Sequence, residues 1–290
     1  MVSAVGSLAD IHARHADVHE PGPPRQFSGP KSNHFHPPMK IPLLFTTALV
    51  CLGGATPTLA ADQADAILRG MSAKLAAAKH FTFEATREVD ATLRDGYSVP
   101  EKAGVHVAVS RPNQFAARSV SRQGSRRIIA DGHQLTIVDE KPGHYAQVPM
   151  HTSIDQFVEK LDGMYGFTPP LADFALSDVY GDLRRQTRKI SYLGTAKVGG
   201  ALGLGGEKCH RIALSGRTAD AELWIAVSDQ LPRKLVATFR LTSQPQLHIA
   251  FSSWNLNAPP TADQFAFAPS PRYARVEMWS TARMREAAKP

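Results

Sequence analysis

Apolar and polar residues alternate along most of this chain, and the period of that alternation changes at only a few places. "HFTFEATREVDATL" puts Phe81, Phe83, Ala85, Val89, Ala91 and Leu93 on one side. Thr82, Glu84, Thr86, Glu88, Asp90 and Thr92 take the other side, and Arg87 is the lone charge among the apolar set. Period two over that length predicts an antiparallel strand with one wet face. Asp95-Gly96 marks a hairpin turn, after which "GVHVAVS" resumes the rhythm at Val105, Val107 and Val109. Shorter strands follow in "FAARSVS", "SRRIIA", "QLTIVD" and "HYAQV", punctuated by Asp131-Gly132 and Pro142-Gly143.

Two stretches have a helical period instead. Ala64, Ile67, Leu68, Met71, Leu75 and Ala78 form one stripe, with Asp62 and Asp65 expected in its first turn. Ser153 and Gln156 spell a capping box ahead of Ile154, Phe157, Val158, Leu161 and Tyr165, which share a face. "GFTPPLADFALSDVYGDL" is apolar but interrupted by Pro169-Pro170, which predicts a folded-over loop holding one short helix.

Strands resume at "ISYLGTAKV", "KCHRIALS" and "QLHIAFSSWNL", and "ELWIAVSDQLPRKLVATFRL" is a hairpin. Its greasy face carries Leu223, Ile225 and Val227, then Leu235, Ala237, Phe239 and Leu241, around a turn at Ser228-Asp229-Gln230. "GGALGLGGEK" lacks the lysine and hydroxyl ending of a phosphate loop and the strand-to-helix setting of a dinucleotide site, so it reads as a strand connection. About ten strands thus offer one apolar face each, with two helices to cover them. A twisted antiparallel sheet of that size curls. Whether its concave side is filled or keeps a cavity stays open at this level.

Composition narrows the working part of the chain. Met39-Lys40, then the uncharged run "IPLLFTTALVCLGGATPTLA" ending in Thr58-Leu59-Ala60, predicts a signal peptide over residues 39–60 cleaved after Ala60. Residues 1–38 hold five histidines (His12, His15, His19, His34, His36) at spacings that fit no closed ligand set. They are read as an upstream segment, disordered and outside the working protein. One domain is expected over residues 61–276, with a tail over 277–290. The net charge of +7 is spread along the chain, "RRQTRK" (184–189) being the densest spot. That suits peripheral contact with an anionic membrane surface and gives no nucleic-acid footprint. Beyond Ala60 only Cys209 remains, so no internal disulfide is expected and the thiol reads as buried and inert.

The sequence makes no positive case for catalysis. It has no Gly-x-Ser-x-Gly elbow, His-Glu-x-x-His or Cys-x-x-Cys. An Asp131–His133 dyad with a distant serine has nothing particular to support it. No catalytic residue, metal or cofactor is expected.

Several ordered phrases resemble a family of predicted periplasmic proteins of unknown function grouped with the lipoprotein-carrier fold of LolA and LolB. They are Arg-Pro-x-x-Phe at Arg111, Asp-Gly-x-x-Leu-Thr at Asp131, Leu-Trp-Ile at Leu223, Leu-Pro-Arg-Lys-Leu at Leu231, and Trp-Asn-Leu-Asn at Trp254 before Phe-Ala-Phe. The likeness runs from about Asp62 to Val276. It implies a mainly β, α+β fold, an antiparallel half-barrel wrapping helices around a cavity able to take acyl chains. It also implies an arginine that holds a lid shut, for which Arg87 is the candidate by pattern.

On this reading Phe83, Val107, Leu223, Phe239 and Phe251 line the cavity, and Phe157, Leu161, Tyr165 and Phe174 cover it. The expected function is a monomeric periplasmic binding protein or carrier for a lipid, a lipoprotein acyl chain or another apolar ligand. The alternative is a non-catalytic envelope module with a filled core and a protein partner.

Overall fold

The computed structural model describes residues 57–92, 98–200 and 205–287. The predicted signal segment lies outside them except for its last four residues, as do residues 1–38. Among the described residues the alternating stretches become strands β1 (His80–Thr92), β2 (Ser98–Ser110), β3 (Gln114–Ser121), β4 (Gly124–Ala130), β5 (Gln134–Asp139) and β6 (His144–Pro149). The second half supplies β7 (Thr187–Val198), β8 (Glu207–Gly216), β9 (Ala219–Ala226), β10 (Pro232–Phe239), β11 (Gln246–Asn255) and the short β12 (Ala274–Arg275). All belong to one open sheet in the order β12-β6-β5-β4-β3-β2-β1-β11-β10-β9-β8-β7. Every pairing is antiparallel except β12 beside β6. Pairing β1 with β11 joins the two halves of the chain at the middle of the sheet.

The described helices are α1 (Pro57–Ala77), α2 (Ile154–Tyr165), α3 (Val179–Gln186) and α4 (Thr281–Ala287). That is twelve strands and four helices where the sequence predicts about ten and two. The short helix expected in the Pro169-Pro170 loop is α3; β12 and α4 are the additions, and a two-residue strand or a seven-residue helix carries too little periodicity to be read. Helix α1 also starts earlier than predicted, so Asp62 sits past its first turn.

The capping box of α2 is present as read: the Gln156 N–H donates to Ser153 Oγ, and the Ser153 N–H donates to Gln156 Oε1. The helix stops at Gly166, whose φ of 70° is the left-handed conformation that glycine adopts without strain. Helices α1, α2 and α3 cover one face of the sheet. Leu68, Met71 and Leu75 of α1, Phe157 and Leu161 of α2, and Leu183 of α3 join the inward strand residues in one continuous core.

The opposite face is covered only locally. The segment after β11 crosses it, seating Phe265 against Ala108, Ala116 and Ile129. The chain then rounds the β6 edge, where Ala274 N–H donates to Gly143 O and Val276 N–H to Tyr145 O. It ends on the helix side, with Thr281 Oγ1 donating to the Met164 carbonyl. Wrapping one edge in this way satisfies backbone groups that would otherwise pair with another chain. At the far wing Cys209, Trp224 and Ala226 form a small outer cluster with Val198 and Val236.

Candidate functional site

Strand register sets which side chains form rows across the concave face, because residues opposite one another in an antiparallel pair share a side. One row runs Phe83–Val107–Ala117–Ile128–Ile137–Ala146 from β1 to β6. Its first members are sealed beneath the helices. By Ile137 the cover has run out, since α2 ends at Tyr165, and the row emerges as the floor of a pocket of about 280 Å³. Tyr165 and Phe167 form one wall, and Val276, Met278 and Trp279 of the C-terminal segment form another.

The next row, Ser119–Arg126–Asp139–His144, gives the pocket a polar side, to which Glu277 contributes. Arg126 donates to both oxygens of Asp139, at 2.6 and 3.0 Å, so these charges are mutually compensated. The pocket is therefore amphipathic, with an aliphatic floor, aromatic walls and an ion-paired rim. Its volume lies near the low end of the roughly 300–1,000 Å³ of small-molecule sites. It suits an acyl segment or a small apolar group better than a whole lipid.

The side chains chosen from sequence come together elsewhere. Phe83, Val107, Leu223, Phe239 and Phe251 are each at most 6% exposed and belong to the same core. Phe83 stacks on Trp254 at 4.5 Å and lies 5.8 Å from Phe251, which meets Phe174 edge-on at 5.1 Å. Phe157 packs on Phe115 at 5.8 Å, and Leu161 is sealed. The Phe251–Phe174 contact joins one member of the sheet set to one of the cover set. Of the nine, Tyr165 alone lines this pocket. Ile128, Ile137, Ala146, Tyr145, Phe167, Met278 and Trp279 were not picked out from sequence. "SRRIIA" and "QLTIVD" read only as short strands, which gave Ile128 and Ile137 no place at the end of the helix cover.

Arg87 points inward. It pairs in register with Ala103 on β2 and Ile249 on β11, the bulge of this strand falling at Glu84/Ala85. It is 8% exposed, and its Nη2 has no hydrogen-bond partner. Burial lowers its pKa, opposed by the charge of Glu101.

Arg111, by contrast, is engaged with backbone carbonyls. Its Nε donates to the Ala78 carbonyl (3.2 Å), and its Nη2 donates to the carbonyls of Leu75 (3.4 Å) and Leu176 (3.1 Å). The last carbonyls of a helix lack intrahelical donors. One guanidinium thus serves the end of α1 and ties it to the loop following the 3-10 turn Ala172–Ala175. The Arg111 guanidinium also lies over the Phe81 ring, 5.8 Å from its centroid. Burial lowers its pKa, and Asp155 acts in the opposite sense. Arg111 opens the Arg-Pro-x-x-Phe phrase, whose Phe115 is the ring under Phe157.

Cys209 is fully buried, and desolvation, with a smaller contribution from Glu207, pushes its thiol up to about 11. A thiol held protonated at neutral pH is a poor nucleophile. Cys209→Ser is expected to alter stability by no more than about 1–2 kcal/mol and to leave the fold intact, as read by urea titration and circular dichroism. A much larger loss would contradict this.

A family model described as "Predicted periplasmic protein (DUF2092)" matches residues 64–279. The chain belongs to this DUF2092 family. The match begins within α1, spans β1 to β12, α2 and α3, and includes the wall of the pocket, ending at Trp279. Among curated proteins, none matches the DUF2092 chain in sequence.

Similar solved structures include an uncharacterized conserved protein from Thermus thermophilus, at 12% identity and TM-score 0.43, covering 74% of this chain and 99% of that one. MucB is 15% identical at TM-score 0.42, over 71% of this chain and 63% of its own. A LolA superfamily protein from Nitrosomonas europaea is 12% identical at TM-score 0.32, covering 68% and 94%. The DUF2092 chain thus spans less than two thirds of the MucB chain. These are likenesses of fold alone.

Proposed function

We propose that this DUF2092 protein is a non-catalytic periplasmic binding protein or carrier that holds an acyl chain or other apolar ligand in its concave groove. Export, with cleavage after Ala60, is part of this reading. The observation that carries it is the inward row from Phe83 to Ala146. It is sealed at one end and opens at Ile128, Ile137 and Ala146 into the aromatic-walled pocket. Each buried methylene contributes about 0.8 kcal/mol, so eight to ten of them give roughly 6–8 kcal/mol gross. Ordering and association costs reduce this to weak, exchangeable binding.

The second reading, an envelope interaction module with a filled core, is favoured by the tight packing of Phe83, Phe251, Phe174 and Trp254.

Mass spectrometry of an organic extract of the purified protein, with titration of a fluorescent fatty-acid probe, separates the two. Under the carrier reading wild type binds the probe. Ile137→Asp, which places a carboxylate on the pocket floor, is expected to weaken binding at least tenfold with the circular dichroism unchanged. A wild type that carries no extractable lipid and binds no probe would leave the filled-core module.

A further inference from the structure

We infer that His133 and His151 together form a site for one divalent transition-metal ion of the zinc, copper or nickel class, at the root of helix α2. His133 stands in the turn between β4 and β5, and His151 in the link from β6 to α2. Eighteen residues separate them in sequence, and the fold brings Nδ1 to Nδ1 at 3.3 Å with the rings near-perpendicular, at 70°. Two nitrogens bound to one tetrahedral ion at about 2.0–2.1 Å stand about 3.3–3.4 Å apart. The two ring nitrogens already have chelating separation. An imidazole–imidazole hydrogen bond accounts for the same distance, and it is the rival explanation.

The backbones carrying both rings are fixed, which lowers the ordering cost of chelation. Asp131 Oδ1 accepts from the N–H groups of His133 and Gln134, each at 2.8 Å. Met150 N–H, next to His151, donates to the His133 carbonyl at 2.8 Å. Gly132 holds the turn at φ 96°, where a Cβ would lie 2.4 Å from the Asn113 amide. Both histidines are exposed, so solvent can complete the coordination. Among the described residues no group of three or more histidine, cysteine or acidic side chains is placed to hold a metal ion. The site is thus open and two-coordinate from protein, unlike the closed four-ligand sites that hold folds together.

Its position gives it a consequence. His151 is two residues before Ser153, the cap of α2, so an ion shared with His133 cross-links the entry of the covering helix to the sheet. The inference stands independently of what the groove binds.

The test is calorimetric titration of the metal-stripped full chain with Zn²⁺ and with Cu²⁺. Wild type is compared with His133→Ala, His151→Ala and the control His210→Ala. Ions taken by other histidines appear equally in all four and subtract. The expected result is one ion fewer in both pair variants, unchanged binding in the control, and a two-nitrogen Cu²⁺ spin-resonance signature lost with either histidine. His133→Gln, which keeps a polar side chain in the turn, is expected to lose the same ion and guards against a folding artefact. Equal stoichiometry in wild type and both pair variants would overturn the site and leave a plain hydrogen bond.

Discussion

Phe157→Asp is expected to unfold the protein. Phe157 is 1% exposed, packed on Phe115, and continuous through Leu161 with the core beneath the sheet. Truncating a buried phenylalanine alone costs about 3–5 kcal/mol. A carboxylate in the same place adds several more unless it takes up a proton. Against a total stability of roughly 5–15 kcal/mol, that removes most or all of the margin. Far-ultraviolet circular dichroism should be lost cooperatively at little or no denaturant. The contrary outcome, a native sheet signal with only local fraying, would make α2 a detachable lid, which is what the sequence suggested for this side of the molecule. The seal around Phe157 favours an integral helix whose end, at Tyr165, is the accessible part.

Arg111→Met should give the second large effect. Methionine keeps much of the stem but donates to none of the carbonyls of Leu75, Ala78 and Leu176. Hydrogen bonds to a charged group contribute about 1.5–3 kcal/mol each and overlap when they share one donor group, so a loss of roughly 2–4 kcal/mol is expected. Amide exchange should speed up selectively between residues 171 and 178, which the guanidinium ties to α1. Arg111→Lys should restore only part of this, because an ammonium lacks the planar fork that spans three carbonyls. Unchanged stability and exchange in Arg111→Met would show that the loop is held by packing alone.

The two arginines show how a sequence can mislead about a site. Arg87 attracted notice because it breaks an apolar alternation, and it is indeed buried. Its local pattern said nothing about partners, and its Nη2 has none. Arg111 sits after a strand, before a proline, where an arginine looks like ordinary turn chemistry. Its acceptors lie 33, 36 and 65 residues away, and no local period encodes such a meeting. The histidine pair is a third case, with uninformative spacing in sequence and short separation in space.

What the sequence determined by itself is whatever depends on neighbours along the chain. Period-two alternation set the strands and their inward faces. The Ser153–Gln156 box set the start of α2, the turns at Asp131-Gly132 and Pro142-Gly143 followed from those pairs, while Asp95-Gly96 lies outside the described residues, and ordered phrases named the family. These are local because backbone geometry fixes where side chains i+2 and i+4 point. Tertiary structure alone decided which inward residues are sealed and which stay open. Phe83 and Ile137 share one row and one polarity pattern, yet helices cover the first and end before the second. The C-terminal segment, which in sequence had no readable role, returns around the β6 edge to wall that opening. Such coverage depends on where a helix stops and which distant segment crosses it. Hydrophobic burial is non-directional, so an apolar face specifies that it must be covered without specifying by what.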